Sequence, residues 1–235
     1  MIPNQQIEQW LGGRLSQFAR TDRPFVTLSY AQSWDGSITL HSGASMALSG
    51  EQSAVLTHQL RSRHDGILVG IGTVISDDPR LNVRLCEGRD PQPIVLDAQL
   101  RMPAHAKLCH LPAKRCWIIT SSDAVLPETM QLDVIRLAGD SQGRVCLHEA
   151  LLALKKHGIH SLMVEGGAGV ISAFLRHKLV DAIVLTVAPR LVGGYKAVAD
   201  LGYATLTELP EISPMFTEKL GKDLIMWGDV RYPSP

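Results

Sequence analysis

Aromatic residues are scarce: four Phe, four Trp and four Tyr in 235 residues. The core must therefore rest on Leu, Ile, Val and Ala. Neither sign of charge is in excess, with 23 Lys+Arg against 23 Asp+Glu. No global field draws such a chain to nucleic acid or to an anionic membrane, although a local cluster can still hold a phosphate. Cysteines number four, at Cys86, Cys109, Cys116 and Cys146, and none forms a CxxC pair. That spacing fits neither a zinc site nor a disulfide framework and reads as free thiols in a reducing compartment. No apolar run reaches the ~18–20 residues that span a bilayer. Residues 1–20 lack the basic start and long apolar core of a signal peptide. The expectation is a cytoplasmic protein without metal.

Several chemistries are missing as well. There is no HExxH, no GxSxG, no GxxxxGK[ST] and no HxE with PCxxC, so zinc peptidase, serine hydrolase, P-loop and zinc deaminase readings have no support. The nine histidines are scattered, and each reads as a surface or internally satisfied residue. No repeat or low-complexity stretch stands out. A chain of this length suits one larger domain or at most two small ones, and no convincing boundary divides it.

What is present is an alternation of strand and helix. Residues 1–20 read as an amphipathic helix, with Ile7, Trp10, Leu11, Leu15 and Phe18 at helical spacing. Residues 25–31 alternate and read as a strand ending at the turn Trp34-Asp35-Gly36. A helix follows to about Arg63, with Ser49 as its expected N-cap. The apolar runs 66–70, 94–97, 115–120, 133–137 and 161–164 read as strands. Residues 72–76 read as a short helix broken at Asp78-Pro79, and 145–157 and 169–177 as longer helices. Strands over 181–188 and 223–232 complete the pattern, the last a candidate for antiparallel pairing at an edge. This order predicts an α/β fold with a central, mostly parallel mixed sheet flanked by helices.

The most informative segment is Met163-Val164-Glu165-Gly166-Gly167-Ala168-Gly169. A strand ends in a carboxylate, two glycines let the backbone turn and approach a ligand, and a helix begins. The free N–H groups and dipole of that helix favour an anion such as a pyrophosphate. GGAG is not the usual GxGxxG, and a ligand-free strand-to-helix turn remains a competing reading. Gly70-Ile71-Gly72-Thr73 supplies a second glycine-rich turn after a buried strand. In α/β sheets, ligands collect beyond the carboxyl ends of strands. Asp77 and Asp78 precede Pro79 and can either shape a turn or meet a hydroxyl. Arg61, Arg63, Arg80 and Arg84 form a basic set whose planar forks suit a phosphate, or else make a solvated face.

These blocks, in their order, resemble the reductase domain of riboflavin biosynthesis, the C-terminal half of the bifunctional deaminase–reductase RibD. The likeness starts at Arg23-Pro24-Phe25-Val26-Thr27-Leu28 and Ala31-Gln32-Ser33-Trp34-Asp35-Gly36. It continues through Leu60-Arg61, the run from Gly66 to Val74, and the run from Asp77 to Arg84. Its last blocks are Pro93-Ile94-Val95-Leu96-Asp97, Val164-Glu165-Gly166-Gly167, and Leu179 through Gly194. No single block is specific, but together they are.

The resemblance implies a dihydrofolate-reductase-like fold, NADPH as hydride donor and a homodimer. It implies reduction of the ribosylamino side chain of a pyrimidine 5′-phosphate to the ribitylamino form. It places Ala31, Thr73, Asp77 and the loop Gly167, Ala168, Gly169, Val170, Ile171, Ser172 and Ala173 at the cofactor. Ser45, Arg61, Leu81, Arg84 and Glu165 would meet the substrate, with Arg61 and Arg84 suited to its phosphate. Glu165 and Asp35 are the candidate catalytic carboxylates. Met46-Ala47 stands where some members carry an aromatic that packs on the cofactor. The chain carries no deaminase half, which implies a separate deaminase. The expected division is a helical extension over 1–22 and a reductase domain over 23–235. The competing readings are a reductase of the same fold acting on a pterin or other heterocycle, and a non-catalytic nucleotide-binding protein.

Overall fold

The computed structural model describes residues 3–18, 22–127 and 129–233. Helix α1 (Pro3–Phe18) leads into strand β1 (Phe25–Ser33), the short strand β2 (Ser37–Thr39) and helix α2 (Glu51–Arg63). Strand β3 (Gly66–Gly70) and helix α3 (Ile71–Asp77) are followed by β4 (Gln92–Leu96), β5 (Cys116–Thr120) and β6 (Leu132–Arg136). Then come helix α4 (Leu147–Lys156), β7 (Ser161–Val164), helix α5 (Ala168–Arg176) and β8 (Ala182–Ala188). The two-residue β9 (Tyr195–Lys196) precedes β10 (Glu211–Leu220) and β11 (Asp223–Arg231).

Nine strands form one sheet in the order β10-β11-β8-β1-β7-β3-β4-β5-β6, and β2 pairs with β9 separately. From β8 to β6 every neighbour is parallel, while β10–β11 and β11–β8 are antiparallel. The expected α/β architecture is thus present. Every residue of β3 and β7 is buried, as parallel strands covered on both faces must be. On one face Leu151 and Leu154 of α4 and Ile171 and Phe174 of α5 meet Val26, Leu28, Leu68 and Val164. On the other, Ile7 and Leu11 of α1 and Leu56 and Leu60 of α2 meet Phe25, Met163, Val184 and Ile225. Successive strand side chains alternate between the two faces of the sheet, and on the second face Ile67, Val69, Val95 and Ile118 form a further core with Ile71 and Val74 of α3.

The structure differs from the sequence reading in two places. Ser49 does not cap α2. The cap is Gly50, and the Asp223 carboxylate accepts from the Gly50 N–H at 2.7 Å and the Ser53 hydroxyl at 2.6 Å. A carboxylate distant in sequence thus stabilises the helix start. Strand β11 does not form the edge, because β10 lies outside it. No residue of β10 is buried and most are exposed, so no apolar alternation marks it, and its register shifts between Ile212 and Met215 around Pro214. Helix α1, which falls in the expected extension, packs against the sheet. Ile7 and Leu11 are fully buried, and Arg14 pairs with Asp229 at 2.7 Å. Residues 1, 2 and 19–21 of the expected extension lie outside the described residues. No helix among the described residues is long and apolar enough to cross a membrane.

Candidate active site

The turn after β7 is shaped by one side chain. The Glu165 N–H donates to Leu68 O at 3.0 Å, which keeps the turn against β3. A Cβ on Gly166 would collide with Val170, and one on Gly70 would come within 2.7 Å of Val170 Cγ2. Val170 therefore sits in a notch that two glycines open, one from each glycine-rich turn, and this lets α5 approach the sheet closely.

Gly167 and Gly169 serve a different purpose. Gly167 caps α5 at φ −68, ψ 177, a conformation any residue can adopt. A Cβ there would meet only Thr73 Oγ1, at 3.5 Å, and one on Gly169 would meet nothing within 4 Å. Neither glycine is required by backbone or packing, and a side chain at either would fill open space. The Val170 and Ile171 N–H groups return to Gly167 O, at 3.0 and 3.1 Å. Those of Ala168 and Gly169 have no partner among the described residues. A helix start with free donors and bare Cα atoms fits a nucleotide pyrophosphate.

This turn forms one wall of a cleft of about 590 Å³. Ala31 of β1, Thr73 and Asp77 of α3, Ser45, Glu165, Gly167, Ala168, Gly169 and Val170 all line it. Ile171, Ser172 and Ala173, expected at the cofactor, do not. Helical rotation turns them away: Ile171 is fully buried in the core, the Ser172 hydroxyl accepts from the Ala199 N–H at 2.9 Å, and Ala173 is half-buried in the next turn. Ser29, Tyr30, Thr39, Thr186 and Tyr195 also line the cleft and escaped the sequence reading. Thr186 reaches it because β8 pairs in parallel with β1, Ala31 opposite Thr186, a register that no local pattern encodes. Burial pushes the Tyr30 phenol up to about 12, so it stands in the cleft as a neutral donor.

Glu165 faces the cleft with Arg61 behind it. Arg61 Nε and Nη2 donate to Oε1 and Oε2 at 2.8 and 2.6 Å, and Nη1 donates to Asn82 O at 3.0 Å. Burial opposes the Arg61 charge, but the Glu165 carboxylate more than offsets it and the guanidinium pKa rises. Arg61, expected to meet the substrate phosphate, is thus engaged by Glu165 and Asn82. Its fork is filled, it does not line the cleft, and it acts by fixing Glu165. Leu81, expected at the substrate, is 2% exposed and packs in the core under α3. Arg84 also lies outside the cleft lining, but keeps an exposed guanidinium, bonded only weakly to Asn82 Oδ1 at 3.2 Å. Partial burial and then the charges of Arg61 and Arg80 lower its pKa, as in a cationic cluster short of anions.

Asp35 is absent from the cleft lining. Its carboxylate accepts from Ser33 Oγ (2.6 Å), Ser37 Oγ (2.9 Å), the Val192 and Gly193 N–H groups (2.9 Å each) and Lys196 Nζ (2.8 Å). Lys196 first, then Ser33 and the two amides, hold it well below the usual carboxylate range. A carboxylate so saturated has no proton to give near neutral pH. The structure thus argues against Asp35 as a proton donor, and gives it the task of tying 190–196 beside β2. That tie brings Tyr195 to the cleft.

The RibD C-terminal domain family matches residues 24–226. The riboflavin biosynthesis protein RibD of Aquifex aeolicus is 32% identical over 210 residues, covering 88% of this chain but 58% of its own length. The 2,5-diamino-6-ribosylamino-4(3H)-pyrimidinone 5′-phosphate reductase of Methanothermobacter thermautotrophicus is 34% identical, covering 87% of this chain and 97% of its own. Among solved structures, Acinetobacter baumannii RibD superposes with a TM-score of 0.78 at 26% identity, over 90% of this chain and 59% of that one. The riboflavin biosynthesis reductase of Saccharomyces cerevisiae superposes with a TM-score of 0.77 at 27% identity, over 96% and 99%.

Proposed function

This chain belongs to the RibD C-terminal domain family, and we propose that it is an NADPH-dependent reductase of a ribosylamino-pyrimidine 5′-phosphate, yielding the ribitylamino product in riboflavin biosynthesis. One observation carries the reading. A single cleft has a side-chain-free helix start on one wall and a glutamate locked by an arginine fork beside it. The relatives' names supply the phosphorylated pyrimidine, and nothing in the cleft favours a pterin.

Gly167, Ala168 and Gly169 would hold the cofactor pyrophosphate, with Thr73 and Asp77 beside it and Ala31 against the ring. When bound, NADPH supplies the hydride that reduces C1′ of the ring-opened sugar. Glu165, presented by Arg61, offers two acceptor oxygens to the sugar hydroxyls or to the amino-pyrimidine edge. Ser45 donates to a substrate oxygen, and the exposed Arg84 takes the phosphate. The proton that balances the hydride goes to the glycosylamine nitrogen, from water or from Glu165, since Asp35 lies outside the cleft. Holding both reactants in one cleft contributes several of the ~7–11 kcal/mol that proximity can supply.

The decisive experiment is steady-state turnover with the diaminopyrimidinone and the aminouracil phosphates, each with NADPH and with NADH. Turnover of either phosphate, preferring NADPH, supports the reading. Reduction of dihydrofolate instead, or NADPH binding without oxidation, would overturn it. We also place the protein in the cytoplasm as a homodimer. Edge strand β10 supports the dimer, as it exposes Met215 and Phe216 and leaves one ladder unpaired. Light scattering at micromolar concentration tests it, with a monomeric mass as the adverse result.

A further inference from the structure

Between α3 and β4 the chain takes an irregular course. Asp78 and Leu81, neither a glycine, adopt left-handed φ values of 41° and 52°. Such residues persist only where neighbouring contacts hold them. Part of that hold comes from Lys107, whose N–H donates to Asp78 Oδ1 at 2.8 Å and whose Nζ donates to Asp78 O at 3.1 Å, and part from within, where the Val83 N–H donates to Asp90 Oδ1 at 2.7 Å. Two further ties come from α2. Arg61 Nη1 grips Asn82 O at 3.0 Å, and the Arg84 N–H donates to Nδ1 of His58 at 3.0 Å.

His58 and Arg61 are one helical turn apart, so both reach the same segment from one face of α2. His58 is only 3% exposed. A backbone N–H can only donate, so Nδ1 must carry a lone pair and the ring must be neutral. The surroundings favour that state. Burial first, then Arg61 and Arg84, bring the imidazole down to about 4, against weaker opposition from Glu165 and Asp90.

We propose that His58 is a positioning residue: its neutral ring latches residues 82–84 onto α2 and so sets Arg84 beside the Arg61–Glu165 pair, ready for the substrate phosphate. The inference rests on the reductase reading for its ligand, but the latch itself does not. Arg61 bonds to both the latched segment and Glu165, so one side of α2 aligns the phosphate-binding arginine with the carboxylate at the cleft. Without the His58 acceptor, the Arg84 amide loses its partner and the left-handed segment loses one of its two ties to α2.

Two variants test this. His58→Leu removes the acceptor at similar bulk. His58→Asn returns an acceptor oxygen to the place of Nδ1, through the same number of bonds. In His58→Leu the Michaelis constant for the phosphorylated pyrimidine should rise about tenfold, with kcat and the Michaelis constant for NADPH within about twofold, since one hydrogen bond to the strap is lost. His58→Asn should recover most of that affinity. Hydrogen exchange on ligand-free protein supplies a readout that needs no substrate. The Arg84 amide should exchange about tenfold faster in His58→Leu and at nearly the wild-type rate in His58→Asn. Unchanged exchange at Arg84 in His58→Leu overturns the latch. Faster exchange with an unchanged Michaelis constant overturns its role in phosphate binding. A wild type that reduces neither pyrimidine defeats the reductase reading, while the exchange comparison still decides the latch.

Discussion

At the scale of single residues, adjacent glycines do unrelated work. Gly166 makes room for Val170, so Gly166→Ala should cost about 1–3 kcal/mol through overpacking, read as a lower Tm. Gly169 makes room for nothing in the protein. Gly169→Val should leave Tm within a degree or two and weaken NADPH at least about tenfold, because a single lost pyrophosphate contact is worth that much. An unchanged Kd for NADPH by calorimetry would remove the cradle from the argument. The two arginines divide in the same way. Arg61→Ala strands a half-buried carboxylate and should cost on the order of 3 kcal/mol in stability, with turnover lost on phosphorylated and dephosphorylated substrate alike. Arg84→Ala sits on the surface and should change stability by less than about 0.5 kcal/mol. It should raise the Michaelis constant for the phosphate about tenfold and leave the dephosphorylated nucleoside unaffected, a ratio steady-state kinetics can measure.

At the scale of elements, legibility followed burial. The fully buried β3 and β7 were read from their apolar runs alone, because a strand covered on both faces has no other composition open to it. Strand β10 could not be read this way, since exposure removes the alternation that marks a strand. The helix α1 was legible from its apolar spacing but its place was not. It reaches the same core cluster as Trp227, more than 200 positions later. Leu11→Ala should therefore destabilise the whole domain by about 2–4 kcal/mol in a single cooperative transition, with the Michaelis constants unchanged. A separate low-temperature transition for the helix would show instead that it is an appendage.

At the scale of the molecule, two buried histidines set a response to acid. Burial lowers His64 to about 4, against weaker pulls upward from Leu60 O, Asp65 and Glu165, as it lowers His58 among Arg61, Arg84, Glu165 and Asp90. Both groups bind protons more readily in the unfolded chain, near 6.5. The stability they preserve is therefore complete above about pH 6.5 and is lost as pH falls toward 4. The slope is about 1.4 kcal/mol per pH unit for each histidine. Urea midpoints measured from pH 7 to pH 4 should fall across that window, and should fall less steeply in His58→Asn.

The α/β order, the glycine turns, the carboxylate after β7 and the arginines were all determined by the sequence itself, because hydrophobic period, backbone freedom and side-chain chemistry are local properties. So were the family blocks that point to a reductase. Only the tertiary structure decided what each group faces. Arg61 turned from the phosphate to Glu165, Asp35 from a candidate proton donor to the tie on the 190–196 loop, and Ile171 and Ser172 from the cleft to the core. Those outcomes depend on helix rotation, on parallel strand register and on partners from about 100 to 160 positions away. A residue's type fixes which bonds it can make, whereas long-range packing decides which of them it does make.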